Sequence, residues 1–436
     1  MPIPFIFYVI ENGVPPWLVE NVWSIAKIAA AAATLVFIRL YIAGAKNTSE
    51  RDMHGKVIMM TGGTSGIGAH TAYELAKRGA QLILLTQNSL GESYVADYVH
   101  DLRIRTKNDL IYAEKVDLAS LHSVRQFATR WIDNTPPRRL DAILLCGAAL
   151  TPPGNARRVT GDGLEESWQV NFLSNFHLLS ILGPAIKVQP FDRDVRIIYT
   201  TCSSYIASPN LGDGPLMLTK KQWTPGSAYA KSKLAMMTFL SSFQKHLDAH
   251  KRPDGLPMNS RVIIVDPGFS RTPGTRRWLT RGSLWGLFLY LISYIVPWLL
   301  LKSPEEASQS ILYACMDQSL GANMSGVPAG QVRLVKECMT VDYARRDIDD
   351  EEAAKKLWQE SDKLIEKVEK EQALLRARQK KEDEQKEKEE EAKRKLEEID
   401  GLVQAIKKGK KSEALKTKQR KKGKTVSFMD ANDDKK

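Results

Sequence analysis

The sequence predicts an α/β domain preceded by one apolar helix and followed by a charged tail. Three observations predict it. A short apolar run, Lys56-Val-Ile-Met-Met60, leads directly into Thr61-Gly62-Gly63-Thr64-Ser65-Gly66-Ile67-Gly68 and then into a helical stretch. Asn21 to Ala43 is mostly apolar and Ala-rich. After Val341 the composition turns abruptly to Glu, Lys, Gln, Arg, Ala and Leu. The chain's 436 residues suffice for one large α/β domain with extensions, and an apolar content of 43% suits a globular core. Four cysteines, at 146, 202, 315 and 338, show no pairwise metal spacing. They fit a reduced compartment with neither a disulfide framework nor a metal site.

Residues 1–20 form a short N-terminal segment. Met1 to Ile10 has no Lys or Arg, and the apolar run that follows is too long and too late for a cleaved signal peptide. Residues 21–43 read as a transmembrane helix, because about 22 helical residues span roughly 33 Å, enough for a bilayer core. Trp23 and Tyr41 lie near its ends, and Lys27 and Arg39 are placed where their stems can snorkel. Glu11 and Glu20 precede the segment, whereas Arg39, Lys46, Arg51 and Lys56 lie at or after its end. That basic excess puts the following domain in the cytosol. Residues 44–54 are a linker.

After the strand at Lys56–Met60, the glycines let the backbone approach a pyrophosphate, and the N-terminus of the helix from Ala69 to Arg78 favours its charge. Gly79 caps that helix. Strand, glycine turn and helix together are the setting a dinucleotide fingerprint requires. About 160 residues later stands Ser227-Ala-Tyr-Ala-Lys-Ser-Lys233. Tyr229 and Lys233, at i and i+4, share one helix face. An ammonium beside a phenol favours the phenolate, so Lys233 is expected to lower a pKa ordinarily near about 10 and make Tyr229 a general acid/base near neutral pH.

The spacing Gly-x-x-x-Gly-x-Gly from Gly62, with Tyr-x-x-x-Lys downstream, resembles the short-chain dehydrogenase/reductase family over roughly Gly55 to Val335. In layout it is similar to the membrane-bound, retinol-dehydrogenase-like members. The resemblance implies a Rossmann doubly wound parallel sheet, a nicotinamide cofactor and hydride transfer. It assigns cofactor contacts to Thr61, Gly62, Thr64, Ser65, Gly66, Ile67 and Gly68. Val116-Asp117-Leu118 resembles the strand end near the adenine, and Val170-Asn171 the helix Asn of the catalytic tetrad. Asp266-Pro267-Gly268-Phe-Ser-Arg-Thr272 resembles the Pro-Gly turn whose Thr holds the nicotinamide end. Tyr229 and Lys233 serve both the chemistry and the cofactor, with Lys233 on the ribose and Asn171 holding a water that relays protons.

Two positions depart from the family pattern. The Asn-Asn-Ala-Gly after the fourth strand is Leu145-Cys146-Gly147-Ala148 here, so the backbone support for the cofactor must differ. The strand Val195–Thr201 ends in Cys202-Ser203-Ser204, leaving a choice of catalytic residue. Ser204, 25 residues before Tyr229, is taken first and Ser203 second, while counting from the strand start favours Cys202 or Ser203. The second strand, Gln81 to Thr86, is followed by Gln87 and Asn88. With no carboxylate there to repel a 2′-phosphate, NADP stands ahead of NAD.

The enzyme-like domain is expected over 55–340, with an apolar lid at 284–301. Ser303-Pro-Glu-Glu-Ala307 opens another helix with a Ser cap and early acids. By the resemblance that helix packs on the same sheet, so the lid must return to the side it left. Pro297 and the aromatic residues suit a bent element lying in the membrane interface. Residues 341–400 read as a charged helix whose aliphatic residues, among them Leu357, Leu364, Ile365 and Val368, form a stripe in its first half and offer a coiled-coil face. Residues 401–436 read as a basic disordered tail for an anionic partner. No aromatic residues interleave its lysines, so no specific nucleic-acid binding is expected.

These readings converge on a membrane-anchored oxidoreductase acting on a lipid-like alcohol or ketone. Endoplasmic reticulum and lipid droplet are the expected sites, with the mitochondrial outer membrane a further one. The alternative is a catalytically silent scaffold that keeps the fold and acts through its tail.

Overall fold

Long apolar runs in parallel strands mark a sheet covered on both faces. That is what the computed structural model contains; it describes residues 16–89, 91–211, 216–321 and 330–429. Residues 1–15 of the N-terminal segment and 430–436 of the basic tail lie outside the described residues.

Among the described residues, β1 (Val57–Thr61), β2 (Gln81–Thr86), β3 (Ile111–Lys115), β4 (Ala142–Leu145), β5 (Val195–Thr200), β6 (Ser260–Asp266), β7 (Arg333–Lys336) and β8 (Met339–Val341) form one sheet. Its order is β3-β2-β1-β4-β5-β6-β7-β8, parallel except for β8, which runs antiparallel to β7. β1 pairs with β2 on one side (Val57 opposite Gln81) and β4 on the other (Ile58 opposite Ala142). The strand order therefore reverses at β1, and ligands of open α/β sheets bind at the carboxyl ends of the strands beside such a point.

The α-helices of six or more residues are α1 (Val22–Ala43), α2 (Gly66–Lys77), α3 (Ser93–Thr106), α4 (Leu121–Ile132), α5 (Ser174–Lys187), α6 (Pro225–Asp248), α7 (Pro273–Leu279), α8 (Leu284–Ile292), α9 (Ile295–Leu300), α10 (Pro304–Met316) and α11 (Glu351–Met429). All five residues of β1 are buried, and the four apolar ones divide between two cores. Met59 joins Phe127 of α4, Phe176 of α5 and Phe239 of α6 on one face. Ile58 and Met60 join Leu75 of α2, Val99 of α3 and Ile311 of α10 on the other.

The expected helix after the lid begins as the sequence indicates. Ser303 and Glu306 form a reciprocal capping box, with Pro304 in the first turn of α10. The apolar stretch before it is two short helices, α8 of 9 residues and α9 of 6, broken at Ser293 and Tyr294. At about 1.5 Å per residue neither approaches a bilayer's thickness.

α1 is 22 residues long, and among the described residues it alone is long and apolar enough to cross a membrane. The linker after it is ordered along the domain. Ala45 N donates to Glu337 Oε2 (3.1 Å), Asn47 N to Gln309 Oε1 (3.2 Å) and Ser49 Oγ to Asp317 Oδ2 (2.6 Å). Arg39, near the end of α1, pairs with Glu306 at 2.6 Å and lies 5.7 Å from the Trp298 ring centroid in α9. The apolar helix and the lid are thus joined through one guanidinium.

The expected domain boundary after residue 340 is not where packing stops. The first compact unit runs to Val368. The aliphatic stripe expected to offer a coiled-coil face is instead used within the chain: Leu357, Ile365 and Val368 are buried in the core, and Leu364 packs against it. Trp358 lies 5.2 Å from Phe239, 5.7 Å from Phe176 and 6.4 Å from Phe243, between ring centroids. Arg345 ties the preceding segment down by donating to the Ser208 carbonyl, and Ser241 Oγ donates to Asp349 Oδ1 at 2.6 Å. Residues 369–436 form the second unit. Residues 401–429 are helical where the sequence reading expects disorder; lysine, a good helix former, is their commonest residue.

Candidate active site

The site is assembled at the carboxyl ends of β1, β4, β5 and β6. β1 ends at Thr61, whose Oγ1 accepts from Gly147 N at 3.2 Å. The next turn needs glycine. Gly62 has φ +68°, and a Cβ there would sit 2.6 Å from Gly147 N. Gly147 crosses the glycine turn backbone to backbone, leaving no room for a side chain on Gly62. Two residues the sequence reading missed brace the same turn from α3: Tyr98 OH donates to the Gly63 carbonyl at 2.8 Å and Tyr94 OH to that of Thr64 at 3.3 Å. Nothing short of their placement in space marks them, since they come from a helix beyond the next strand.

Ser65, exposed, precedes α2, and Gly66, Ile67 and Gly68 form its first turn. Gly66 has φ +57°, and a Cβ on it would meet Thr272 Cγ2 at 3.1 Å. Thr272 itself caps α7, accepting from Thr275 N at 3.2 Å. The glycine turn, expected to hold the pyrophosphate, and Thr272, expected to hold the nicotinamide end, are therefore neighbours. Gly268 has φ +80°, and its N–H donates to Asp266 Oδ1 at 3.0 Å. Gln87 is exposed just beyond β2. Asp117 Oδ1 accepts from Ala119 N at 2.8 Å, and the Leu118 carbonyl accepts from Ser174 Oγ at 2.6 Å. This cradle, with bare glycines against a helix N-terminus, fits a nicotinamide dinucleotide.

Asn171 lies in a π-turn, Gln169–Leu173, inside the helical run ahead of α5. Such turns often sit at functional sites. Its amide clamps one residue, with Oδ1 accepting from Ala149 N at 2.7 Å and Nδ2 donating to the Ala149 carbonyl at 2.9 Å. Nδ2 also donates to Ser232 Oγ at 3.1 Å. Ser232, unnoticed in the sequence, joins Asn171 to α6 by donating in turn to the Tyr229 carbonyl at 2.8 Å.

α6 starts sharply, with Thr224 and Ser227 in a capping box and Pro225 in the first turn. That start fixes Tyr229 and Lys233 in the first turns of the helix. Lys233 is buried, and its Nζ donates to the Thr200 carbonyl at the end of β5 (2.9 Å). Nζ lies 4.9 Å from the Tyr199 ring centroid and 5.5 Å from that of Tyr229. Burial lowers the Lys233 pKa.

The expected lowering of the Tyr229 pKa is reversed in the folded chain. The phenol is held well above its ordinary value, first by burial and then by Cys202 and Tyr199. The i, i+4 argument counts the ammonium alone. Here Nζ is turned onto a backbone carbonyl, and desolvation of the phenolate outweighs its attraction.

Beyond β5 and Thr201 come Cys202, Ser203 and Ser204. Cys202 is among the groups that raise the Tyr229 pKa. Ser203 Oγ donates to Asp266 Oδ2 at 2.7 Å. Ser204 Oγ lies 2.8 Å from Cys202 Sγ. A cavity of about 690 Å³ lies under the lid, lined by Phe269, Leu279, Trp285, Leu289, Val296 and Leu300 among others. Tyr229 and Ser204 do not line it.

Residues 56–211 match the family described as short chain dehydrogenase. An uncharacterised oxidoreductase of Schizosaccharomyces pombe, pbr1, is 42% identical over 85% of this chain and 97% of its own length. The chain belongs to the short-chain dehydrogenase/reductase family. Retinol dehydrogenase 13 of Mus musculus is 30% identical over 78% of this chain and 93% of its own length. Polyprenol dehydrogenase of Homo sapiens is 30% identical over 61% and 74%. A solved structure from Mycobacterium paratuberculosis, at 22% identity, superposes with a TM-score of 0.52 over 74% of this chain and shares the fold. As a short-chain dehydrogenase/reductase with retinol-dehydrogenase-like relatives, the protein is an oxidoreductase of the hydride-transfer type using a nicotinamide cofactor.

Proposed function

We propose that this protein is a membrane-anchored short-chain dehydrogenase/reductase acting on a lipid-like alcohol or ketone of sterol, retinoid or acyl type. The observation that carries the chemistry is the convergence of Tyr229, Lys233, Asn171 and the Cys202–Ser204 turn beside the glycine cradle. When bound, the nicotinamide supplies or accepts the hydride. Tyr229 gives or takes the proton at the substrate oxygen. Ser204 polarises that oxygen, and Lys233 binds the ribose and keeps a positive charge behind the phenol. Asn171 orders the turn at Ala149 and holds a water on the path to Lys233. NADP stands ahead of NAD, since Gln87 and Asn88 carry no charge and the Glu92 carboxylate beside them is taken by the Asn88 amide.

The lipid-like substrate is supported by the apolar cavity, of a volume usual for small-molecule sites, and by the retinol and polyprenol in the names of relatives. Membrane anchoring is supported by α1, on which Trp23, Phe37 and Tyr41 are exposed, and by the lid, on which Leu284, Ile292 and Ile295 are exposed. The catalytic domain then faces the cytosol, at the endoplasmic reticulum, lipid droplet or mitochondrial outer membrane. The lysines between 407 and 424 offer an anionic surface a second, salt-sensitive contact.

The reading is tested by purifying the chain in detergent, titrating NADPH and NADH by nicotinamide fluorescence, and screening sterol, retinoid and acyl ketones. Absence of a fluorescence change with both cofactors defeats it. Deleting residues 1–43 should weaken membrane binding without abolishing it, because the lid remains; complete release into detergent-free buffer would show that the lid does not insert.

Two further expectations concern the chemistry. A phenol with a raised pKa is protonated at neutral pH, the form that donates a proton in carbonyl reduction. Alcohol oxidation needs the phenolate, so its kcat should climb between about pH 7 and pH 9.5 while reduction stays level through neutrality. An oxidation rate that is flat or falls over that range contradicts the assignment. Ser204→Ala should lower turnover more than Ser203→Ala, because Ser203 is committed to Asp266 whereas Ser204, among the described residues, meets only Cys202. The reverse order would exchange their roles.

A further inference from the structure

We propose that Arg345, on the segment between β8 and α11, is a positioning residue for Ser204: it closes the carboxyl end of the 3-10 turn on which that serine stands. The proposal rests on the reading of Ser204 as the group that polarises the substrate oxygen.

The turn cannot hold itself. Ser203–Ala207 is a 3-10 helix of 5 residues, and the last carbonyls of so short a helix have no partner within it. Its entry is fixed at Ser203, whose Oγ donates to Asp266 Oδ2 at 2.7 Å. Its exit is fixed from far away in the chain. Arg345 Nη1 donates to the carbonyls of Tyr205 (3.4 Å), Ile206 (3.3 Å) and Ser208. Nη2 donates to Asn210 Oδ1 at 2.8 Å. Ala344 N donates to the hydroxyl of the buried Tyr205 at 3.2 Å. Ser204 therefore stands between two clamped neighbours, Ser203 held by the end of β6 and Tyr205 held by the segment after β8.

A guanidinium suits this work. Its donors lie in one rigid plane, so a single side chain reaches several carbonyls at once, and its charge lies at the negative end of the helix. Arg345 is itself held in place, with Nε donating to Asp347 Oδ1 at 2.9 Å. Both ends of the segment are anchored. Tyr343 OH donates to the Val332 carbonyl at 2.9 Å, and Ile348 is buried in the core that also takes Leu357 of α11. Among the described residues the guanidinium bonds Asp347 and the stretch from Tyr205 to Asn210, and nothing in α11. Its donors are thus spent on the site turn rather than on seating the long helix. The segment links the docking of α11 to the order of the turn that carries Ser204.

The test uses the full-length chain in detergent. Amide hydrogen exchange is read by mass spectrometry over residues 203–210. Arg345→Ala should speed exchange there at least fivefold and leave the glycine turn, 61–68, within twofold of wild type. Arg345→Lys keeps the charge but not the fork. It should speed exchange at least twofold, and it carries every comparison if the alanine chain does not fold. Unchanged exchange over 203–210 overturns the proposal. An equal rise over both stretches, the mark of a generally loosened domain, overturns it too. Turnover is read with all-trans-retinal and NADPH. Arg345→Ala should lower kcat at least tenfold while KM and NADPH affinity stay within twofold. The same substitution made in a Ser204→Ala chain should change kcat less than twofold, because its effect passes through the serine. An equal loss in both backgrounds overturns the proposal. A wild-type chain that binds no NADPH defeats the functional reading instead. In that case, or where retinal is not reduced, exchange over 203–210 alone decides whether Arg345 orders the turn.

Discussion

Replacing Tyr229 with Phe is expected to cut turnover by about 10²- to 10⁴-fold, the usual worth of a positioned general acid, while NADPH still binds. The ring remains to fill its place beside Tyr199 and under the Lys233 ammonium, so packing is preserved. What is lost is the O–H that would exchange its proton with the substrate, which the fold holds protonated at neutral pH. The measurement is kcat on the substrate found by the ketone screen, beside a fluorescence titration with NADPH. Turnover within threefold of wild type would remove Tyr229 from the mechanism. Loss of cofactor binding together with turnover would instead show that the hydroxyl supports the cradle.

The second large effect concerns the chain after β8. A chain ending at Asp342 should fail to reach the native state, whereas one ending at Glu371 should melt within about 2 °C of the full-length protein. The difference lies in the first turns of α11. They bury Leu357, Ile365 and Val368 against α5 and α6 and set Trp358 among Phe176, Phe239 and Phe243. Removing them would expose the face that supports the Tyr229 helix. Trp358→Ala alone should cost about 3 kcal/mol, at the low end for large-to-small aromatic substitutions because the indole is only partly buried. Equal melting temperatures for the two truncated chains would mean that this helix contributes nothing to the domain.

These expectations show what could and could not be read in advance. The glycine turn was legible because its demands are local: glycines able to take a positive φ, as Gly62 and Gly66 do, lie directly between a strand and a helix, though the helix begins at Gly66 and not at Ala69 as the sequence suggests. The Tyr229–Lys233 pair was legible for the same reason, since helical spacing alone puts both on one face. The apolar α1 and the Ser303 cap needed only length and composition.

The sign of the Tyr229 pKa was not local. It depends on burial by β5 and on Lys233 finding the Thr200 carbonyl, and neither is a matter of helix spacing. The choice among Cys202, Ser203 and Ser204 turned on which way three successive side chains leave the end of a strand, and on Asp266 waiting at the end of β6 to take one of them. The aliphatic stripe of α11 was visible in the sequence, but a stripe names no partner. Only the fold shows that the aromatic face of α5 and α6 had remained open to receive it. By itself the sequence determined the glycine turn, the shared helix face of Tyr229 and Lys233, the apolar helix and the α/β class, because each follows from short-range spacing and backbone sterics. The tertiary structure decided which group stands beside the phenol, which proton state the site favours and where the domain ends, because these depend on desolvation and contacts between segments far apart in the chain.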